Sequence, residues 1–124
     1  MPVHRKLGAV ALLLALGFGR RSAFAQQLAL PDSAATRCAG GVCTIEGTVA
    51  QVSVSHKLGT TFLNFGAAYP HQTFTAVIFH GAKDHFPDPK QWEGRPVRVT
   101  GKVQVYRGKP EMILVAASQL RAAP

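Results

Sequence analysis

The chain has 124 residues, with 14 Lys and Arg against 6 Asp and Glu, a formal net charge of +8. That length allows one domain. Two cysteines are too few for a four-ligand zinc site of the usual paired-cysteine kind, and six scattered acids leave little material for a carboxylate-held metal centre.

Residues 1–25 read as a signal peptide. His4, Arg5 and Lys6 form a positive start, residues 7–18 are an uncharged apolar run, and Ala23-Phe24-Ala25 is a small-x-small cleavage signal. The expected mature chain begins at Gln26. The apolar run of 12 residues is short of the roughly 20 that cross a bilayer as a helix. Arg20 and Arg21 follow the run instead of preceding it, so they are not a twin-arginine signal. Four cations (Arg5, Lys6, Arg20, Arg21) fall in this leader, which leaves ten cations against six acids and a net charge of +4. That permits acidic partners without demanding them. The expected location is periplasmic or secreted, with no transmembrane segment in the mature chain.

Residues 26–43 have no hydrophobic period and carry Pro31, Gly40 and Gly41. They read as a loose N-terminal segment. Cys38 and Cys43 are expected to form a disulfide, since an isolated pair oxidises in an exported protein. Four residues between them do not make a C-x-x-C redox motif.

From Thr44 the texture is that of strands: branched and aromatic residues in short runs, broken by Gly, Pro and His. Strand one is expected over residues 44–55. Ile45, Gly47 and Val49 share one face, and Val52 and Val54 resume the alternation out of step, which predicts a bulge near Ala50-Gln51. Strand two covers 60–65, with Leu63 and Phe65 on one face and Phe62 and Asn64 on the other. Strand three covers 73–80. Strand four, 96–106, places Val97, Val99, Gly101, Val103 and Val105 inward. Strand five, about 111–117, turns Met112 and Leu114 inward. Between strands three and four one helical turn fits, with Asp88 as N-cap, Pro89 at the first helical position, Gln91 closing a capping box, and Gly94 ending it. Trp92 is read as a core plug. Gly47 and Gly101, in mid-strand, mark bends or close approaches.

Five short strands with a helical turn after the third follow the order of a five-stranded Greek-key OB-fold barrel, an all-β class, over residues 44–120 with a tail at 121–124. Particular residues carry a closer likeness: Phe62-Leu63-Asn64-Phe65-Gly66, Tyr69-Pro70, Phe74-Thr75-Ala76-Val77-Ile78, residues 94–103, and residues 106–112. They resemble small bacterial OB-fold domains, similar to the nucleic-acid-binding OB group that includes anticodon-binding-type domains. The resemblance covers about residues 45–120. It implies the barrel, and single-stranded nucleic acid as the candidate ligand.

The chemistry of the side chains points to binding and away from catalysis. The acids are dispersed, no Ser-His-Asp or Cys-His arrangement stands out, and no serine lies in a nucleophile elbow. His80, Asp84 and His85 are the only cluster of ligand types; they fall in a loop, so they read first as a solvated loop, with a zinc or copper site as the alternative, and no metal or cofactor is expected. OB barrels take ligands across strands two and three, between the loops joining strands one to two and four to five. The expected ligand-binding residues are therefore Lys57, Phe62, Asn64, Phe79, Arg107 and Lys109: aromatic platforms with cations at the edges. Arg98 and Lys102 point outward from strand four, away from that face. The expectation is an exported binding module for an extended anionic polymer. The alternative is a periplasmic protein-interaction or envelope-stress module.

Overall fold

The computed structural model describes residues 29–124. The expected leader and its cleavage signal lie outside the described residues. Among the described residues there are seven strands: β1 Ala29–Pro31, β2 Val42–Val54, β3 Thr61–Phe65, β4 Phe74–Ile78, β5 Pro96–Tyr106, β6 Lys109–Ile113 and β7 Leu120–Ala122. They form one sheet in the order β1-β2-β3-β4-β6-β5-β7. Because β2 also pairs with β5, the pairings β2–β3–β4–β6–β5 return to β2. The β4–β6 and β1–β2 pairs are parallel and the rest antiparallel.

The all-β class is as expected, but the strand count is corrected from five to seven. The five expected strands are β2 to β6. β1 adds alongside the first part of β2, and β7 alongside the first part of β5. Each has three residues, too few to display an alternation.

β2 is long enough to serve two neighbours because it bends. Val49 pairs with Phe65 and Gln51 with Asn64, so Ala50 is the extra residue of a bulge. The bulge lets Ile45 and Val49 before it, and Val52 after it, all reach the interior. β5 matches its expected span, and Val97, Val99 and Val103 are fully buried. Val105 departs from the expected phase and is 53% exposed. It pairs with Pro110 in the β5–β6 hairpin, close to the Arg107-Gly108 turn. Val54, next to the β2–β3 turn, is exposed for the same reason.

Residues 29–38 are more than a loose lead-in. After β1 the chain runs through a 3-10 helix, Asp32–Cys38, whose Ala35 is fully buried in the core. The Asp32 carboxylate accepts a hydrogen bond from the Thr73 hydroxyl. Asp32 also lies against Gly47, where a Cβ would stand 2.8 Å from its Oδ1. Gly47 is thus a close-approach glycine, as its mid-strand position implied. The Cys38–Cys43 disulfide is present and ties the end of this helix to β2.

Between β4 and β5 there are two 3-10 segments, His80–His85 and Pro89–Trp92, where one turn was expected. The capping box is absent. Asp88 is in the left-handed region (φ 49°) and its side chain makes no cap bond, because an N-cap needs extended backbone. The Gln91 amide instead donates to the Pro87 carbonyl. Trp92 packs against the core half-buried, with the Arg95 guanidinium 4.8 Å from its ring. Phe86 is the aromatic residue of this segment that is buried, at 6% exposed. Among the described residues no helix is long and apolar enough to cross a membrane.

Candidate ligand-binding cleft

The outer face of β2, β3, β4 and β6 carries a polar row set by strand register. Gln51 lies opposite Asn64, Asn64 opposite Thr75, and Thr75 opposite Glu111. Gln104 on β5 extends the row opposite Glu111. The side chains bond along it. Asn64 Nδ2 donates to Gln51 Oε1 (2.9 Å), Thr75 Oγ1 donates to Asn64 Oδ1 (3.1 Å), and Gln104 Nε2 donates to Glu111 Oε1 (2.8 Å). Asn64 and Thr75 are buried although polar, at 3% and 7% exposed, and these bonds make that burial affordable.

Two walls rise from this floor. One is the loop at residues 66–73, which carries Tyr69, Pro70 and Gln72. Side chains from three other elements hold it. Gln51 Oε1 accepts from the Tyr69 amide (3.0 Å), Asp32 accepts from Thr73, and Lys109 Nζ donates to the carbonyls of Pro70 (2.6 Å) and Gln72 (3.1 Å). The other wall is the β5–β6 hairpin. Its two turn residues, Arg107 (φ 50°) and Gly108 (φ 80°), are both left-handed, the combination a tight primed hairpin requires. That turn sets Tyr106 and Arg107 at the rim, with the guanidinium 5.2 Å from the Tyr106 ring.

Between the walls lies a cleft of about 580 Å³, lined by Phe62, Tyr69, Tyr106, Arg107 and Lys109 above the Gln51–Asn64–Thr75 floor. Tyr69 and Tyr106 are 72% and 55% exposed. Two rings and a guanidinium thus stand open to a ligand, with Phe62 half-buried below them.

Of the six expected ligand-binding residues, four come together here: Phe62, Asn64, Arg107 and Lys109. Asn64 is bonded on both sides and forms floor, and Lys109 is engaged with backbone carbonyls. Phe79 and Lys57 do not line the cleft. β4 ends at Ile78 and the chain turns into a 3-10 helix, so Phe79 leaves the face that Thr75 and Val77 share. Lys57 sits in the turn beyond the Val54–Thr61 pair, past the last cleft residues on β2 and β3, Ser53 and Phe62. The residues missed are Gln51, Tyr69, Gln72, Thr75, Tyr106 and Glu111. For Gln51, Thr75 and Glu111 a signal existed: each is polar in the outward phase of its strand, as Asn64 is.

The other features read from the sequence are distributed elsewhere. Arg98 Nε lies 2.6 Å from Glu46 Oε1, its cross-strand neighbour on β2. His80 and Asp84 line a second cleft of about 330 Å³ with Lys83 and Phe86. Among the described residues no three His, Cys, Asp or Glu side chains are grouped to hold a metal ion.

No protein-family model matches the chain, and no curated protein does. Solved structures do. An OBody bound to hen egg-white lysozyme aligns with a TM-score of 0.51 at 13% identity, over 70% of this chain and 83% of that one. The asparaginyl-tRNA synthetase of Entamoeba histolytica aligns with a TM-score of 0.50 at 18% identity, over 77% of this chain but 24% of the synthetase. At these identities the likeness is one of fold.

Proposed function

We propose that this chain is an exported binding module with an OB-type Greek-key barrel, and that its cleft takes a short run of single-stranded nucleic acid. The returning strand pairings and the likeness to the two solved structures support the barrel. The expected leader and the Cys38–Cys43 disulfide support export. The observation that carries the ligand is the grouping of Phe62, Tyr69 and Tyr106 with Arg107 around one cleft on the β3–β4 face. Bases stack on such rings whatever their sequence, at about 1–3 kcal/mol each, and a cation at the rim meets the phosphate. In this reading the chain binds and does not catalyse.

A second reading, a protein-docking face, draws on the OBody of similar fold, which is bound to hen egg-white lysozyme. Exposed tyrosines suit a protein partner too. Salt separates the two. Titration of a labelled single-stranded octamer at several salt concentrations is expected to give affinity that falls with salt, by a slope of about 0.7 for each phosphate neutralised. Absence of binding at low salt would move the assignment to a protein partner.

A further inference from the structure

The bonds along the cleft floor have a direction, and one group fixes it. The Tyr69 amide can only donate, so the Gln51 atom facing it is the oxygen. That oxygen also takes the Asn64 bond, so Asn64 presents Nδ2 to Gln51 and Oδ1 to Thr75. The Thr75 hydroxyl has one proton, and Asn64 Oδ1 takes it. Gln72 Nε2 therefore donates to Thr75 Oγ1 (3.3 Å). Gln72 Oε1 is left as a buried acceptor without a protein donor, on a residue only 9% exposed that lines the cleft. Turning the Gln72 amide over would bring Oε1 to Thr75 and require its proton, which would orphan both Asn64 Oδ1 and Gln72 Nε2. The observed direction leaves a single unmet group.

A buried acceptor in the wall of a binding cleft selects a ligand that brings a donor to it. Resting on the nucleic-acid reading above, we propose that Gln72 is a specificity-determining residue: its Oε1 accepts a hydrogen bond from the exocyclic amine of a base stacked between the tyrosines. Cytosine carries such an amine. Uracil, of the same ring size, has a carbonyl oxygen there, and its ring N–H is flanked by two carbonyls that would face Oε1. The cleft therefore prefers cytosine to uracil, and Thr75 is the positioning residue that keeps the amide turned.

Labelled octamers of deoxycytidine and of deoxyuridine, titrated at low salt against the wild type, Gln72→Met and Thr75→Val, test this, with thermal unfolding of each variant alongside. The wild type is expected to bind the cytosine octamer about tenfold more tightly, the usual scale for an unmet buried acceptor. Gln72→Met, of similar length but without the oxygen, should bind the two octamers alike, the cytosine octamer losing about tenfold more than the uracil octamer. Thr75→Val should reduce the preference. Equal wild-type affinity for the two octamers overturns the proposal and leaves the nucleic-acid reading standing. Equal loss of both octamers in Gln72→Met makes Gln72 a loop support and also overturns it. Absence of any wild-type binding removes the nucleic-acid reading itself, and the base preference with it.

Discussion

The ammonium of Lys109 lies 2.6 Å from the carbonyl oxygen of Pro70, and it donates to the Gln72 carbonyl as well. A cation placed where a phosphate contact was expected is thus bound to backbone, and it fastens β6 to the loop at residues 66–73. Arg107, stacked on Tyr106 at the rim, is better placed to meet a phosphate.

Lys109→Met is therefore expected to lower stability by about 1 kcal/mol, the usual net worth of such bonds, and to speed amide exchange in residues 66–73. Its salt slope for oligonucleotide binding should match the wild type. Arg107→Gln should reduce that slope by about 0.7 with little change in stability. Chemical denaturation, hydrogen exchange and salt-dependent titration measure these. An equal fall in slope for both variants would put the Lys109 ammonium on a phosphate.

Val99→Asp is expected to unfold the domain. Val99 is fully buried on β5, and an unpaired carboxylate there has neither water nor a partner. Thr100→Asp should fold. Thr100 is only half-buried and loses one hydroxyl bond, to Thr44, at a cost of about 1 kcal/mol. Circular dichroism melts of the two variants check the pair.

The strand phase behind that contrast was legible in the sequence because β5 is an unbroken period-two run with its valines facing one way. The bulge in β2 was legible too, since Val49 and Val52 cannot both point inward without an extra residue between them. The cleft was legible only where it rests on strands. Phe62 and Asn64 follow from the outward phase of β3, whereas Tyr69 and Gln72 sit in a loop with no period, held by Gln51, Asp32 and Lys109 from distant parts of the chain. The polar row needs strand register, which alternation within each strand does not supply. Phe79 was misplaced because the alternation of β4 continues on paper past the point where the backbone turns.

Glu93 gives a pH dependence. The Val52 amide donates to its carboxylate (2.8 Å) and Lys90 pairs with it, which holds its pKa below the ordinary glutamate value. A carboxyl with a lowered folded pKa stabilises above its unfolded pKa, and the contribution is lost as pH falls through the folded value. The melting temperature of the wild type should thus fall with acidification below about pH 4.3, the unperturbed glutamate value. Glu93→Gln should flatten that part of the profile. Identical profiles for the two would contradict it.

Reduction of Cys38–Cys43 is expected to lower stability by about 2 kcal/mol, the loop-closure entropy of so short a ring. The core should stay folded, because Ala35 and the β1–β2 pairing anchor the same segment independently. Denaturant titration with and without reductant, and of a Cys38→Ser/Cys43→Ser variant, measures it. Complete unfolding on reduction would show that the segment depends on the disulfide alone.

The β3–β4 cleft, and not a diffuse positive surface, is expected to bind single-stranded nucleic acid. Fluorescence-anisotropy titration of one labelled octamer against the wild type, Phe62→Ala, Tyr106→Ala, Arg107→Gln and Arg98→Ala tests it most directly. Loss of either ring should weaken binding by about 1–3 kcal/mol, the worth of one base–aromatic stack. Arg107→Gln should weaken it and lower the salt slope, while Arg98, paired to Glu46 away from the cleft, should be silent. Equal losses for Arg98 and Arg107 with both rings silent, or no wild-type binding at low salt, would contradict the account.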